Sequence, residues 1–267
     1  MKKILTSLVF LAVLSTSCST QPTPPPVPTP DLNALVGTMM AATLTAIAPT
    51  PAPPTETPLP EPTPTVLPPG TLMEEFGSNF TYPNAEYWSD PMDASLVKHN
   101  FGVSVNADTL KYDFADPETY LYTFYQKEMP ADVTVETTYN MDTTQSSEAS
   151  VVCRVDPTSR NKWYEFRVIH FERAAVIYYF ERKDVYQNPY TRLAYAKLSV
   201  ELFRDQPNRI EGRCQGNKLT VSVNGQEITS VEDTRLTSGG LVGMGGVSHS
   251  KVPMSISYLN LNVHPAQ

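Results

Sequence analysis

Proline divides this chain before any periodicity is considered. Sixteen of its 25 prolines fall between residues 19 and 70, and nine are spread over residues 71–267. Proline fixes φ and removes a backbone donor, so a segment this rich in it suits neither a helix interior nor a central strand. Residues 22–30 and 49–69 alternate proline with threonine. That composition favours extended polyproline II and acts as a semi-rigid spacer. At about 3.1 Å per residue, the second tract reaches roughly 60 Å. A large packed core is therefore expected from residues 71–267, a length well suited to one all-β domain.

Within that stretch the hydrophobic period is two. "DVTVETTY" sets Val133 and Val135 against Asp132, Thr134 and Glu136. "KLTVSV" sets Leu219, Val221 and Val223 against Thr220 and Ser222. Such alternation marks half-buried strands. Asn224–Gly225 follows, then "QEITSV", which is the strongest short hairpin signal because a type I′ turn needs positive φ at both positions. "CQGNKL" predicts another tight turn. Tyr120 to Gln126 is aromatic-rich and suits a strand. No long stretch carries a helical period. The fold class expected is all-β: a two-sheet antiparallel jelly-roll sandwich following a disordered Pro/Thr-rich tether.

The first residues give an address. Lys2 and Lys3 precede an apolar run over residues 4–14, the length of a signal h-region and too short to span a bilayer. Ser15, Thr16, Ser17 and Cys18 follow. This resembles the bacterial lipoprotein signal, which implies removal of residues 1–17 and lipidation of Cys18. Leu14 stands four residues before the cysteine, where the family usually places leucine three before it. The segment also reads as an ordinary secretory signal cut near Ser17; both readings export the chain. The lipoprotein reading anchors the protein to the cell membrane, facing away from the cytoplasm. Residues 18–70 are then a lipidated linker, and "DLNALVGTMMAATLTAIA" at 31–48 is expected as a weak helix that forms only transiently, the alternative being a small self-association or membrane-surface helix.

With Cys18 assigned to lipid, Cys153 and Cys214 remain as an even pair. In an exported chain a disulfide is the simple reading; two buried thiols are the alternative. The formal charge is −8, with 28 acidic and 20 basic residues. An acidic chain lacks the basic patch that nucleic acid requires, so no nucleic-acid partner is expected.

Four segments occur in order: "SVVCRVDPTSRNKWYEFRV", "NRIEGRCQGNKLTVSVNGQEI", "SGGLVGMGGV" and "ISYLNLNV". Together they resemble bacterial extracellular concanavalin A-like (LamG-like) domains, including the branch labelled 3-keto-disaccharide hydrolase domain. The resemblance covers roughly residues 72–264. It implies two face-to-face sheets, one of them concave with an outer sugar groove. Leu259 stands where that family commonly has aspartate, which leaves no carboxylate there for a structural or calcium role.

Catalytic signatures are weak. Glycosidases on this fold carry carboxylates at alternate positions of one strand. Asp132 and Glu136 come nearest, but at about 3.4 Å per residue they stand roughly 13–14 Å apart. That is too far for paired glycosidase carboxylates, which leaves a dyad drawn from separate strands as the alternative. Ser248 and His249 are adjacent, so in a strand they face opposite ways. The four histidines lack zinc spacing, and no metal or cofactor is expected. The glycines of "GLVGMGGV" lack the lysine and helix of a phosphate loop and read as strand bends or close approaches.

Aromatics are more informative. In "KWYEFRVIHF", Tyr164, Phe166 and Val168 share one face, expected to be core. Trp163, Glu165 and Arg167 share the other, expected to be exposed. "VIYYFERKDVYQNPYTRLAY" adds Tyr178, Tyr179, Arg182, Tyr186, Tyr190 and Tyr195 in a strand and long loop. Sugar rings present flat C–H faces that stack on aromatic rings, and polar neighbours fix their hydroxyls. Trp163, Arg167, Tyr178, Arg182, Tyr190 and Tyr195 are therefore the expected site for carbohydrate or a cell-surface glycan, bound without catalysis. The alternatives are a glycoside or keto-sugar hydrolase, which the family label implies, and a structural or adhesion module that binds protein. Tyrosines also cover sheets simply as amphipathic side chains.

Overall fold

The computed structural model describes residues 68–266, apart from Ser78, Leu96, residues 142–146, Val185 and Asp205. The signal segment, Cys18, the linker to residue 67 and the expected helix at 31–48 lie outside the described residues. Among those described there are sixteen strands and no helix. In chain order they are β1 (Leu72–Glu75), β2 (Met92–Asp93), β3 (Phe101–Asn106), β4 (Thr109–Phe114), β5 (Tyr120–Met129), β6 (Val133–Met141), β7 (Ser147–Val155) and β8 (Lys162–Ile169). Then follow β9 (Ala174–Glu181), β10 (Tyr190–Lys197), β11 (Asn208–Gln215), β12 (Lys218–Val223), β13 (Gln226–Glu232), β14 (Gly240–Ser248), β15 (Met254–Tyr258) and β16 (Asn260–Pro265).

Two antiparallel sheets result. The nine-stranded sheet runs β13-β12-β11-β6-β15-β4-β3, with β16 also on β6 and β1 on β16. The seven-stranded sheet runs β10-β9-β8-β7-β14-β5-β2. The expected hairpins are present. Val223 pairs with Gln226 across Asn224 and Gly225, whose φ values are 49° and 83°, the left-handed conformation such a turn demands. Gln215 pairs with Lys218 across Gly216–Asn217. Leu259 lies between β15 and β16, where its N–H bonds Thr138 O and Asn260 Oδ1 accepts the Thr138 N–H. The side chain of Asn260 thus keeps the ladder on β6 continuous past the irregularity.

Period two sorts the strands into a shared core. Tyr164, Phe166 and Val168 of β8 meet Val135 of β6, Ile210 of β11 and Val221 of β12. A disulfide joins Cys153 on β7 to Cys214 on β11, and so ties one sheet to the other inside this core. Closing a loop of 61 residues stabilises by roughly 3–5 kcal/mol in the chain-entropy model. Asp132, just before β6, pairs with the buried Arg154, and Glu136 within β6 pairs with Arg209.

Candidate functional site

The outward face of the seven-stranded sheet departs from the expected pattern. Trp163, Glu165 and Arg167 do face away from the core, but they are not exposed: all three are buried. The reason is a second apolar layer. Ala94, Tyr122, Phe124, Val152, Val155, Phe180 and Leu241 pack with Trp163, and Met92, Tyr120 and Tyr190 close over them. The Trp163 ring stacks on Phe180 with centroids 3.6 Å apart, and Tyr122 and Phe124 flank it at 5.1 and 5.7 Å. No face of Trp163 is free to stack on a ligand. Gly245 makes the layer possible, since a Cβ there would run into the Tyr122 ring. That is the close approach expected of the glycine-rich strand.

Arg182 also has a different place. Its guanidinium donates to the carbonyls of Ala94 and Ser95 (3.5 Å for the latter) and lies 5.6 Å from the Phe180 ring. It straps the segment after β2 onto the second layer. Tyr195 is on the outward face of β10, where its hydroxyl donates to Glu172 at 2.8 Å. Neither residue joins the group around Arg167.

Arg167 organises the centre of this face. Its Nε donates to Glu165 at 2.8 Å, Nη1 to Glu148 at 2.8 Å and Nη2 to the Tyr122 hydroxyl at 3.2 Å. Tyr122 donates to Glu165 at 2.8 Å. Its single proton is thereby used, so Tyr190, 2.8 Å away, donates to Tyr122. Three rings surround the guanidinium: Tyr178 at 4.8 Å, Tyr190 at 4.9 Å and Tyr120 at 5.6 Å. Glu148 also meets His249 Nε2 at 2.8 Å, and His249 Nδ1 faces Glu118 at 3.4 Å. Ser248 does not join its neighbour; its hydroxyl donates to Asp116 O.

Charge is settled within this cluster. Burial raises the Glu148 carboxyl, but Arg167 and His249 outweigh it and hold the group below the usual carboxylate range. Burial likewise works against the Arg167 guanidinium, and the carboxylates of Glu165 and Glu148 more than compensate, so it stays charged. Burial pushes the Tyr120, Tyr122, Tyr178 and Tyr190 phenols upward, so they remain hydroxyls.

Two adjoining hollows open over the cluster. One of about 250 Å³ is lined by Tyr120, Arg167, Tyr178, Asn188, Tyr190 and Arg192. The other, about 310 Å³, shares Tyr120, Asn188 and Tyr190 and adds Ala94, Val97, His99, Glu118 and others. Of the expected site residues, the structure brings together Arg167, Tyr178 and Tyr190. Sequence reasoning missed Tyr120, Asn188, Arg192, Glu148 and His249. Tyr120, Tyr122 and Phe124 repeat at period two, so an aromatic row on one face of β5 was readable. The pairing of Glu148 with His249, 101 residues apart, left no local signal. Among the described residues no group of His, Cys, Asp and Glu is arranged to hold a metal.

These features define a concanavalin A-like sandwich with a polar, tyrosine-walled outer hollow. No protein-family model and no curated protein matches the chain, so the finer likeness to a 3-keto-disaccharide hydrolase domain rests on the quoted motifs. Solved structures match the fold. One is a Bacillus subtilis protein of unknown function with a galectin-like fold: TM-score 0.54, 11% identity, covering 73% of this chain and 100% of that one. A Bacillus licheniformis β-glucanase matches with TM-score 0.52 and 12% identity, covering 73% and 97%. The exoplasmic/lumenal domain of VIP36, in a Ca2+/Man3GlcNAc-bound form, matches with TM-score 0.51 and 9% identity, covering 73% and 91%. At such identities the likeness is one of fold.

Proposed function

We propose that this domain binds carbohydrate, without catalysis, in the hollow walled by Tyr120, Tyr178 and Tyr190. The observation that carries the reading is the arrangement around Arg167: three rings about a polar floor in which one guanidinium holds two carboxylates. Rings supply stacking surface for sugar C–H faces, and Arg167, Asn188 and Arg192 supply hydrogen bonds. Fold relatives include a glucanase and a glycan-bound lumenal domain, which supports the class of ligand and no particular one.

One observation favours the hydrolase alternative: Glu148 and Glu165 converge on the same face from neighbouring strands. Against it, both are buried and share one guanidinium, and Glu148 is pulled below the usual range. A glycosidase acid needs its proton held at neutral pH, which requires the opposite shift, so Glu148 does not suit the acid's role.

The test screens the purified full chain against soluble and insoluble polysaccharides, with retention and released sugar measured together. Retention without release is expected, and Tyr178→Ala should weaken it while far-UV and near-UV circular dichroism stay native. Release of sugar would replace this reading with the hydrolase. Export and lipid anchoring through Cys18 are part of the same proposal. Fatty-acid labelling lost in Cys18→Ser would support that part, and an unlabelled wild-type chain would end it.

A further inference from the structure

We infer that the sugar taken by the 250 Å³ hollow is acidic: a polysaccharide of uronic acid residues, its carboxylate paired with Arg192, with the remaining Arg167 N–H groups beside it. This rests on the carbohydrate-binding reading above. The ground is an inventory of donors and acceptors. Arg167 has five N–H groups, and three are used by Glu165, Glu148 and Tyr122. Two remain on a side chain only 4% exposed, at the floor of the hollow. Asn188 Oδ1 accepts the Tyr190 N–H at 3.0 Å, so its amide NH2 is the free end. Arg192 has no carboxylate partner among the described residues; its guanidinium lies 5.6 Å from the Tyr195 ring.

The lining is thus rich in committed donors. Its hydroxyls on Tyr120 and Tyr178 serve either way, and no carboxylate is among the lining residues; Glu148 and Glu165 are already taken up by Arg167, which leaves Arg192 as the cation for an entering anion. A neutral sugar offers hydroxyls, each donor and acceptor at once, and leaves such a set partly unmatched. A carboxylate offers two oxygens and no donor, and it fits the guanidinium fork with two parallel bonds. The adjoining hollow, with Ala94, Val97, His99 and Glu118 beside the shared tyrosines, has room for a neighbouring ring of the same polymer, whose own carboxylate would have to point away from Glu118. The protein as a whole is acidic, so general attraction to a polyanion is absent and any preference must come from the site.

The experiment compares retention of the full chain in native affinity gels at neutral pH. The gels contain polyuronates of differing epimer and linkage, the same polymers after carboxyl reduction, and a sulfated neutral polysaccharide. A polyuronate should be held ~10-fold or more tightly than its reduced form, as expected for a charge-assisted pair. Arg192→Ala should remove that difference with an unchanged melting temperature, and Arg192→Lys should restore only part of it, because an ammonium lacks the fork. Equal retention of acidic and reduced polymers would overturn the inference and leave carbohydrate binding intact. Stronger, Arg192-dependent retention of the sulfated polymer would overturn the carboxylate assignment. No retention on any glycan would overturn both readings.

Discussion

Tyr164, Phe166 and Val168 on one face of β8, and Trp163, Glu165 and Arg167 on the other, are almost equally hidden, between 0% and 4% exposed. Their chemistry is opposite. The inner set is packed between two sheets and makes its contribution by excluding water. The outer set holds one cation and two carboxylate partners beneath a thin layer of aromatics. Burial alone therefore says little about what a residue does here. The inner face is a core that any well-packed apolar set would fill. The outer face carries buried charge, which is weak evidence for stability and better evidence for a retained role.

Truncation on either face gives the largest expected effect and, at first, no distinction. Phe166→Ala leaves a core cavity and should cost about 3–5 kcal/mol. Arg167→Ala leaves Glu148 and Glu165 buried without their cation and should cost about 3–5 kcal/mol as well. Urea unfolding of the two variants measures both. A second variant separates the faces. Exchanging Glu148→Leu, Glu165→Leu and Arg167→Met together removes the charges as a set, and replacing a buried ion cluster by apolar residues of similar volume is often neutral or stabilising. The triple variant should recover most of the stability that Arg167→Ala loses and should no longer hold glycan. If it is as unstable as Arg167→Ala, the outer cluster is a structural device and the comparison collapses.

This contrast also marks how far the sequence could be read. The inner face was legible in the alternation of "KWYEFRV", the hairpins in Asn224–Gly225 and Gly216–Asn217, and the pairing of Cys153 with Cys214 in compartment logic. The outer face was assigned correctly as a face but wrongly as exposed. Alternation gives direction, not cover. The cover comes from Ala94 and Tyr120 on one side of the sequence and Tyr190 on the other. Trp163 and Arg182 were singled out for their chemistry, yet their neighbours turn one into packing and the other into a strap. The Asn188–Pro189 dipeptide signals an Asx turn onto the Tyr190 N–H, but nothing local shows that this turn borders the hollow or that Arg192 lacks a carboxylate.

Acid should act on two histidines in opposite senses. His170 is buried, with its Nε2 2.9 Å from the Tyr139 hydroxyl in the main core. Burial is the main cause that pushes its pKa down to about 4. The unfolded chain binds that proton first, so stability present above about pH 6.5 is lost as pH falls toward 4, by ~3 kcal/mol in all. His249 lies on the outer face. Burial disfavours its imidazolium, but Glu148 and Glu118 outweigh this and raise its pKa. Its contribution is complete below the unfolded value and is lost as pH rises through the folded one. In melting curves across pH, His170→Gln should flatten the acid limb and His249→Gln should steepen it. Identical profiles for the two variants would break the division of the molecule into a neutral inside and a charge-bearing outside.

The smallest expected effect on stability is at Arg192. It is exposed, lies 5.6 Å from the Tyr195 ring and faces Tyr178 across the strand pair, with no carboxylate partner among the described residues. Arg192→Ala should change unfolding free energy by no more than about 0.5 kcal/mol, as is usual for a surface position free of special contacts. Arg167, two strands away on the same face, is expected to cost several times more. Both line one hollow, yet one is bound into the fold and the other is not. If the site is built for a ligand, this is the useful arrangement: a buried guanidinium fixed by its carboxylates, and a rim guanidinium kept free for the anion that enters. A substantial stability loss in Arg192→Ala, seen by urea unfolding, would mean that Arg192 has structural work of its own. The hollow would then have no uncommitted cation at its rim.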